Sequence, residues 1–186
     1  MDMRVGKTVR SITNAFLELR SRKPLEKITV RELSERAEIN KATFYLHYHD
    51  IYELSEFLER DVVKSTINAI AHPETIFSDP RRFVRELSDS FIANEQLIKL
   101  LFKDSRSNSF VSLLESELTR IIESHYPDYR IDIEDRMMMT YLIYGGYYTY
   151  FKYCDNGIKP VLEIIEKLSG GIVALYEQKQ DKPKKA

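Results

Sequence analysis

Apolar residues recur at intervals of three and four along nearly all of this 186-residue sequence. That interval matches the helical turn of about 3.6 residues, so each run places its apolar side chains on one face of a helix. The alternating apolar and polar pattern of a half-buried strand does not occur over any length. Only six glycines and six prolines interrupt the runs, and there is no internal repeat. We therefore predict an all-α protein.

Capping residues and prolines divide the chain into predicted helices. Asp50 is the N-cap predicted for a long helix with a regular apolar stripe, and Asp79-Pro80 begins another helix. Asn94 precedes a further apolar group. The remaining long helices are predicted over residues 8–19, 110–126, 133–154 and 161–176. The lysine-rich residues 179–186 are predicted to form a disordered tail.

The composition is typical of a globular protein of the cytoplasm. Hydrophobic residues make up 43% of the chain and charged residues 31%, which indicates a chain that folds around a core. Cys154 is the single cysteine, which excludes an internal disulfide framework and suits a reducing compartment. The first residues, Met-Asp-Met-Arg-Val-Gly-Lys, lack the apolar core of a signal peptide, and no stretch has the roughly 18 uncharged apolar residues that span a bilayer. We expect a cytoplasmic protein without a membrane partner.

The charge is unevenly distributed, although the net charge is only −1. Residues 1–49 contain ten lysines and arginines against six acidic residues, whereas the rest of the chain contains 18 against 23. A basic segment on an acidic body is typical of a protein that meets a polyanion through its basic part. A chance excess on a solvated surface explains the charges equally well.

Two short predicted helices near the N-terminus are joined by a tight turn. Thr29 and Glu32 form a capping-box pattern at the start of the first helix, and Asn40 is the N-cap predicted for the second, over residues 41–47. Such a pair is typical of a helix-turn-helix, whose second helix enters the major groove of DNA. The second helix offers donors for phosphates and base edges from its exposed side, while Phe44 faces inward. These donors are Lys41, Thr43, Tyr45 and His47.

This segment resembles the DNA-binding region of TetR-type transcriptional regulators. It reads Thr29-Val-Arg-Glu-Leu-Ser-Glu-Arg-Ala-Glu-Ile-Asn-Lys-Ala-Thr-Phe-Tyr-Leu-His-Tyr-His-Asp-Ile-Tyr-Glu-Leu54. The family pattern is Thr-(Val/Ile)-x-x-(Leu/Ile)-(Ala/Ser), followed by Ala-Gly-Val-Ser-Lys-Gly-Thr-Phe-Tyr. The resemblance covers residues 6–60 in motif detail, but Glu38 replaces the family's turn glycine and Ile51 replaces a lysine. The tyrosine-rich later helices are similar to a branch that includes the dihydroxyacetone-operon activator.

The resemblance implies a homodimeric, sequence-specific transcription regulator that binds a palindromic operator in double-stranded DNA. It implies a three-helix helix-turn-helix domain over residues 1–49, which a long helix joins to a regulatory and dimerisation domain over residues 50–178. An unidentified small-molecule effector is expected to release a repressor, with ligand-dependent activation as the alternative. The residues expected at or near DNA are Thr29, Asn40, Lys41, Ala42, Thr43, Tyr45, His47, Tyr48 and His49.

The most unusual stretch is the run of methionines and tyrosines from Met137 to Phe151. Such residues at helical spacing usually form a core, but tyrosine hydroxyls between helices also supply the polar groups of an apolar pocket. The predicted ligand-binding residues are Phe91, Phe102, Phe110, Tyr141, Tyr144 and Tyr148. Two glycine pairs lie in the helices that dimerise the family, and we expect them at the dimer interface; a kink or space for a ligand is the alternative for the first pair. These glycines are Gly145, Gly146, Gly170 and Gly171.

Catalytic and metal-binding motifs are missing from the sequence. There is no glycine-rich phosphate loop, nucleophile elbow or His-Glu-x-x-His pattern. His47 and His49 point to different helix faces without an acidic or cysteine partner nearby, and Cys154 lacks an activating base. We predict a non-enzymatic protein without a cofactor or metal site. A helical enzyme or ligand carrier without DNA binding is the alternative from another class, recognisable by turnover or by the absence of a DNA shift.

Overall fold

The computed structural model describes residues 3–103 and 106–180, and in these residues it contains helices, turns and bends but no strand. The prediction of an all-α fold is confirmed. Single 3-10 turns lie at Leu25–Lys27 and Cys154–Asn156. The α-helices are α1 (Met3–Arg22), α2 (Val30–Arg36), α3 (Lys41–Tyr45), α4 (Ile51–Asn68), α5 (Thr75–Ser78), α6 (Pro80–Leu101), α7 (Ser107–His125), α8 (Ile133–Tyr153) and α9 (Ile158–Gln180).

Side-chain caps begin three helices where the sequence predicted them. Thr29, Asn40 and Asp50 each accept a hydrogen bond from the backbone amide three residues later, at 3.3, 2.7 and 2.8 Å. Each cap satisfies an amide that has no partner within the helix and contributes about 1 kcal/mol. The Glu32 carboxylate, which the capping-box pattern directs towards Thr29, pairs with Lys23 Nζ.

Some boundaries differ from the prediction. α6 continues through Asn94, whose side-chain amide donates to the Ser90 carbonyl at 3.1 Å, within the preceding turn of the same helix. The short helix α5 was not predicted. α9 begins two residues before Pro160 and continues through Gln180, so the first two residues of the predicted tail are helical. The rest of that tail, residues 181–186, lies outside the described part of the chain.

The first of two compact units comprises Met1–Val62 and Glu95–Ser107. Residues 95–103 and 106–107 therefore pack with the N-terminal helices, which the sequence did not predict. The assignment of the chain to a DNA-binding and a regulatory domain stays a prediction. The most deeply buried apolar side chains of this unit, each at most 1% exposed, are Ile12, Phe16, Leu33, Phe44, Leu54, Ile98 and Leu101.

Two charged links hold residues 103 and 106 within the first unit. Glu59, only 1% exposed, accepts hydrogen bonds from Arg106 Nε at 3.0 Å and from Arg106 Nη2 at 2.6 Å. Ser55 Oγ donates to the same carboxylate at 2.8 Å. Lys103 Nζ donates to the Arg20 carbonyl at 2.7 Å, and Arg20 Nη2 donates to the Lys103 carbonyl at 3.4 Å. These contacts join the segment after α6 to α1 and α4.

The turn between α2 and α3 contains a non-glycine residue in the left-handed region, Glu38 with φ 54°. The Ile39 amide donates to the Ser34 carbonyl at 3.0 Å, and the Glu38 amide donates to the Glu35 carbonyl at 3.3 Å. This pattern is the Schellman motif, which favours glycine at the left-handed position because a Cβ atom there is strained. Glu38, which stands where the resembling pattern has glycine, therefore has a strained backbone conformation.

Replacing Glu38 with glycine should raise the free energy of unfolding by about 1 kcal/mol, because it removes the cost of a left-handed side-chain-bearing residue. Glu38→Ala is the matched control, since it removes the same charge but keeps Cβ, and it should give little of the gain. Urea denaturation followed by circular dichroism measures both changes. Equal stabilisation by alanine and glycine would assign the effect to charge rather than to backbone strain.

The second compact unit comprises Val63–Asn94 and Asn108–Ala186. α8 and α9, which the turn at Cys154–Asn156 connects, pack against each other. Tyr150 of α8 lies in a buried cluster with Val161, Leu162 and Ile165 of α9. Among the described helices, none is long and apolar enough to cross a bilayer.

Candidate functional site

The helix α3 has an exposed side, and its Phe44 side chain is buried in the core of the first unit. Phe44 is 0% exposed, and its ring centroid lies 5.6 Å from that of Tyr45 and 5.9 Å from that of Tyr48. The exposed residues of α3 and its C-cap form a contiguous surface because they are spaced by three and four residues. We call this surface the α3 face; it consists of Lys41, Ala42, Tyr45 and Leu46.

The structure divides the nine predicted DNA-contacting residues by exposure. Thr43 and His47 are half-buried, and Thr43 Oγ1 donates to Asn40 Oδ1 at 2.9 Å. Tyr48 is 7% exposed and packs against Phe57, with ring centroids 5.9 Å apart. The exposed ones are Thr29, Asn40, Lys41, Ala42, Tyr45 and His49.

Tyr48 therefore differs from the other predicted contacts. Burial raises the pKa of its phenol, and the carboxylates of Glu53 and Asp61 raise it further. The phenol stays protonated at neutral pH, and its ring supports α3 from the core side.

Leu46 is an exposed residue of this region that was not among the predicted DNA contacts. It is 82% exposed, although leucine is usually buried. Its spacing of four residues from exposed Ala42 places it on the α3 face. An apolar side chain there offers contact with a thymine methyl group in a major groove.

Most cations around α2 are neutralised by neighbouring carboxylates. Glu18 pairs with both Arg22 and Arg36, and Arg31 pairs with Glu35 at 2.9 Å. Lys41 makes no ion pair with any described residue. The ammonium group of the α3 face is therefore available to an external anion such as a phosphate.

The second unit encloses a cavity of about 470 Å³. Its walls come from the end of α4, from α5 to α9 and from the segment between α7 and α8, and they are mainly aliphatic and aromatic. Phe91 and Phe110, both predicted as ligand-binding residues, lie in the lining. The lining also contains aromatic residues that were not predicted, namely Phe77, Phe83, Tyr126, Tyr129, Tyr147 and Tyr150.

Four predicted ligand-binding residues do not line this cavity. Phe102 is 2% exposed and belongs to the first unit. Tyr141 is 66% exposed, Tyr148 is 47% exposed and Tyr144 is half-buried, because they lie on the outward side of α8. The inward side of α8 carries Ile143, Tyr147 and Tyr150, which are buried.

Several aromatic rings of the lining pack against one another, and Tyr147 is one of them. The Tyr147 ring stacks on Phe110 with centroids 5.0 Å apart, and Phe91 meets Tyr150 edge to face at 4.8 Å. Burial raises the pKa of Tyr147 to about 12, with a smaller contribution from Tyr148. The Tyr147 phenol is therefore a neutral hydroxyl that can donate or accept a hydrogen bond. The polar residues of the lining outside the tyrosines are Thr66, Ser88, Asp135 and Ser169.

The two glycines of each predicted interface pair differ in the space around them. A Cβ atom on Gly145 or Gly171 would have no neighbour within 4 Å, whereas one on Gly146 would lie 3.5 Å from Ile165 Cγ2. A Cβ atom on Gly170 would come within 2.9 Å of Arg81 Cγ. Gly146 and Gly170 thus pack against their own chain, and only Gly145 and Gly171 face outward.

Exposed apolar side chains accompany the two outward glycines. On α8 they are spaced four and seven residues apart, and on α9 they continue the spacing of Gly171. We call these two sets the outer stripes. They consist of Met137, Tyr141 and Tyr148 on α8 and of Ile164, Leu168 and Leu175 on α9, with exposures from 47% to 66%.

Among the described residues, no three histidine, cysteine, aspartate or glutamate side chains lie close enough to hold a metal ion. Comparison of the chain with known proteins gave no assignment: no protein-family model matches it, and no curated protein matches it significantly.

Proposed function

We propose that the protein is a cytoplasmic, non-enzymatic transcription regulator of the TetR type, which binds an operator as a homodimer and responds to a small molecule. The observation that carries the proposal is the α3 face, which follows a capped α2 and a tight turn and presents an exposed lysine and an exposed tyrosine. Two short helices in this order are the elements of a helix-turn-helix. The resemblance of residues 29–54 to the TetR pattern supports the same function.

The α3 face has the chemistry that a major-groove contact needs. Lys41 supplies a cation for a phosphate or for guanine, and Tyr45 supplies a hydroxyl for a phosphate or base edge. Ala42 is small, so it allows close approach of the helix backbone to DNA. The buried anchor Phe44 fixes the orientation of the helix before DNA binds, which lowers the entropic cost of binding.

The cavity of the second unit is the proposed effector site. It is enclosed mainly by apolar side chains with a few polar groups, which is typical of small-molecule sites. α6 carries the lining residues Phe83 and Phe91 and also Ile98 and Leu101, which belong to the core of the first unit. A ligand that binds better to one arrangement of α6 would shift the population of the DNA-binding state. We propose that the ligand releases DNA, and a DNA shift that requires ligand would identify an activator.

The outer stripes are the proposed dimer interface. A palindromic operator needs two recognition helices separated by about 34 Å, which requires two chains. A twofold interface uses the same surface on both chains, so α8 and α9 of one chain would pack with α8 and α9 of the other as a four-helix bundle. Gly145 and Gly171 would permit close approach of the helix backbones.

Replacing Tyr45 with alanine should weaken operator binding by about 1–3 kcal/mol without unfolding the protein, because the side chain is 57% exposed. The operator is first recovered by binding the protein to fragmented genomic DNA, and affinity is then measured by gel shift. Raising the salt concentration should weaken binding steeply, because phosphate contacts release counterions.

Tyr153→Ala is the matched control, since Tyr153 is a 47% exposed tyrosine of the second unit. It should leave the affinity for DNA unchanged. Equal affinities of a folded Tyr45→Ala variant and the unaltered protein would remove α3 from the DNA interface. Recovery of no DNA by the unaltered protein would refute the regulatory function itself and favour a ligand carrier or an enzyme.

A further inference from the structure

Leu46 is the most exposed large apolar side chain among the described residues, at 82%. It lies at the C-cap of α3 in a helical conformation, and its amide donates to the Ala42 carbonyl at 3.2 Å. The two amides that follow, those of His47 and Tyr48, donate to the Phe44 carbonyl at 2.9 and 3.0 Å. The exposed leucine is therefore part of a hydrogen-bonded backbone and not the tip of a loop.

The buried residues on either side of Leu46 determine the direction of its side chain. Phe44 and Tyr48, which are 0% and 7% exposed, lie two residues before and two residues after it. Residues two positions apart are separated by about 200° around a helix, so they lie on opposite sides. The rings of Phe44 and Tyr48 pack with centroids 5.9 Å apart. Their packing on the core side directs Leu46 away from the core.

The surroundings of Leu46 suit DNA better than a protein partner. Lys41 and Tyr45 are exposed on the same α3 face, and none of the four residues of this face is acidic. Tyr45 and Leu46 are its large apolar side chains, and together they offer far less than the roughly 800 Å² that each partner buries in a standard protein interface. Lys41 and Leu46 are about 7.5 Å apart along the helix axis. The major groove of B-DNA is about 12 Å wide, so one groove can hold both.

Thymine is the base that offers an apolar group in the major groove. Its C5-methyl group projects there, whereas the other bases present hydrogen-bond donors and acceptors. A leucine side chain can pair with neither a donor nor an acceptor. Against the edge of cytosine or guanine it would leave desolvated polar groups without partners, which costs free energy. Leucine at this position therefore favours thymine and also disfavours its competitors.

We propose that Leu46 determines the base at one position of each operator half-site, by packing its side chain on the methyl group of a thymine. This inference rests on the proposed function and adds a residue that determines sequence specificity. The polar side chains of the α3 face supply hydrogen bonds and charge. Leu46 supplies a contact that thymine alone satisfies.

Removing single methyl groups from the DNA tests this contact. In synthetic duplexes of the recovered operator, each thymine is replaced in turn by deoxyuridine, which pairs in the same way but lacks the methyl group. One replacement should weaken binding of the unaltered full chain about fourfold, as expected for the loss of one buried methyl group. The equivalent replacement in the other half-site should weaken it about fourfold again. Fluorescence anisotropy measures both affinities, and the absence of such a thymine would overturn the proposal.

Variants of Leu46 show whether this residue reads the methyl group. Leu46→Ala should bind the thymine and deoxyuridine duplexes equally, whereas Leu46→Met, which keeps an apolar side chain of similar size, should retain most of the difference. Neither change should disturb the fold, because the side chain is 82% exposed. Lys41→Ala is the control on the same face: it should weaken binding to both duplexes but keep their ratio. An unchanged ratio in Leu46→Ala would assign the methyl contact to another residue and overturn the proposal.

Recovery of the operator separates this proposal from the proposed function. If the unaltered protein binds an operator but its methyl dependence does not require Leu46, the base contact is wrong and the regulatory function stands. If the unaltered protein recovers no DNA, both the regulatory function and the base contact are wrong.

Discussion

Replacing Arg106 with methionine should lower the free energy of unfolding by about 3 kcal/mol or more, because it leaves a buried carboxylate without its partner. The Glu59 side chain is 1% exposed and accepts two hydrogen bonds from the Arg106 guanidinium group. These hydrogen bonds raise the pKa of Arg106. Burial opposes them with a smaller effect that lowers the pKa, and the charges of Glu59, Glu56 and Glu26 raise it further. Urea denaturation of the purified protein, followed by circular dichroism, measures the loss.

Removing both charges at once should restore most of this stability. A Glu59→Met, Arg106→Met double variant has no unpaired charge to bury, and such replacements of buried ion pairs are often neutral. Arg31 is the matched surface control. It forms an ion pair with Glu35, and the two side chains are 75% and 65% exposed, respectively. Arg31→Met should cost about 1 kcal/mol or less. If Arg31→Met and Arg106→Met had equal effects, the link between residues 59 and 106 would not stabilise the first unit.

Replacing Leu168 with glutamate should convert the protein from a dimer to a monomer at micromolar concentration. Leu168 lies in the middle of the α9 outer stripe and is 58% exposed in the single chain. Twofold symmetry would bring two copies of the new carboxylate into one apolar interface, and burial of unpaired charges costs several kcal/mol. We expect the dissociation constant of the dimer to rise about 100-fold or more. Sedimentation velocity measures the change.

The same variant should lose affinity for a palindromic operator although its α3 face is intact, because one recognition helix then binds without the other. Leu46→Glu is the matched control for assembly, since Leu46 is an 82% exposed leucine outside the outer stripes. It should leave the protein dimeric. A monomeric unaltered protein, or a dimeric Leu168→Glu variant, would show that the outer stripes are not the interface.

Features that depend on neighbouring residues could be predicted from the sequence. The caps at Asn40 and Asp50 need only an amide three residues later, and the apolar stripe of α4 needs only the helical period. Glu38 could be recognised as a strained turn residue because the resemblance supplied the glycine that it replaces. Each of these features lies within a few residues of its cause.

Features that depend on which helices meet could not be predicted. α8 carries tyrosines on both sides, so helical periodicity could not show whether Tyr148 or Tyr147 faces inward. The packing of α9 against Tyr150 decides this, and α9 follows α8 in the sequence. Similarly, Glu59 and Arg106 are 47 residues apart, and their pairing arises only when the segment after α6 packs with α4.

Tyr147 and Tyr148 are adjacent in α8 but face in different directions. Tyr147 lines the cavity, whereas Tyr148 faces outward and its hydroxyl donates to Asn108 Oδ1 at 2.7 Å. A helix is only about 10 Å across, so a change in the bulk of one side shifts the other. Under the proposed function, natural selection on ligand choice and on self-association would therefore act on the same helix. A new ligand preference would evolve under less constraint through substitutions in α6 and α7, for example at Phe91 or Leu114. These substitutions do not also alter an outer stripe.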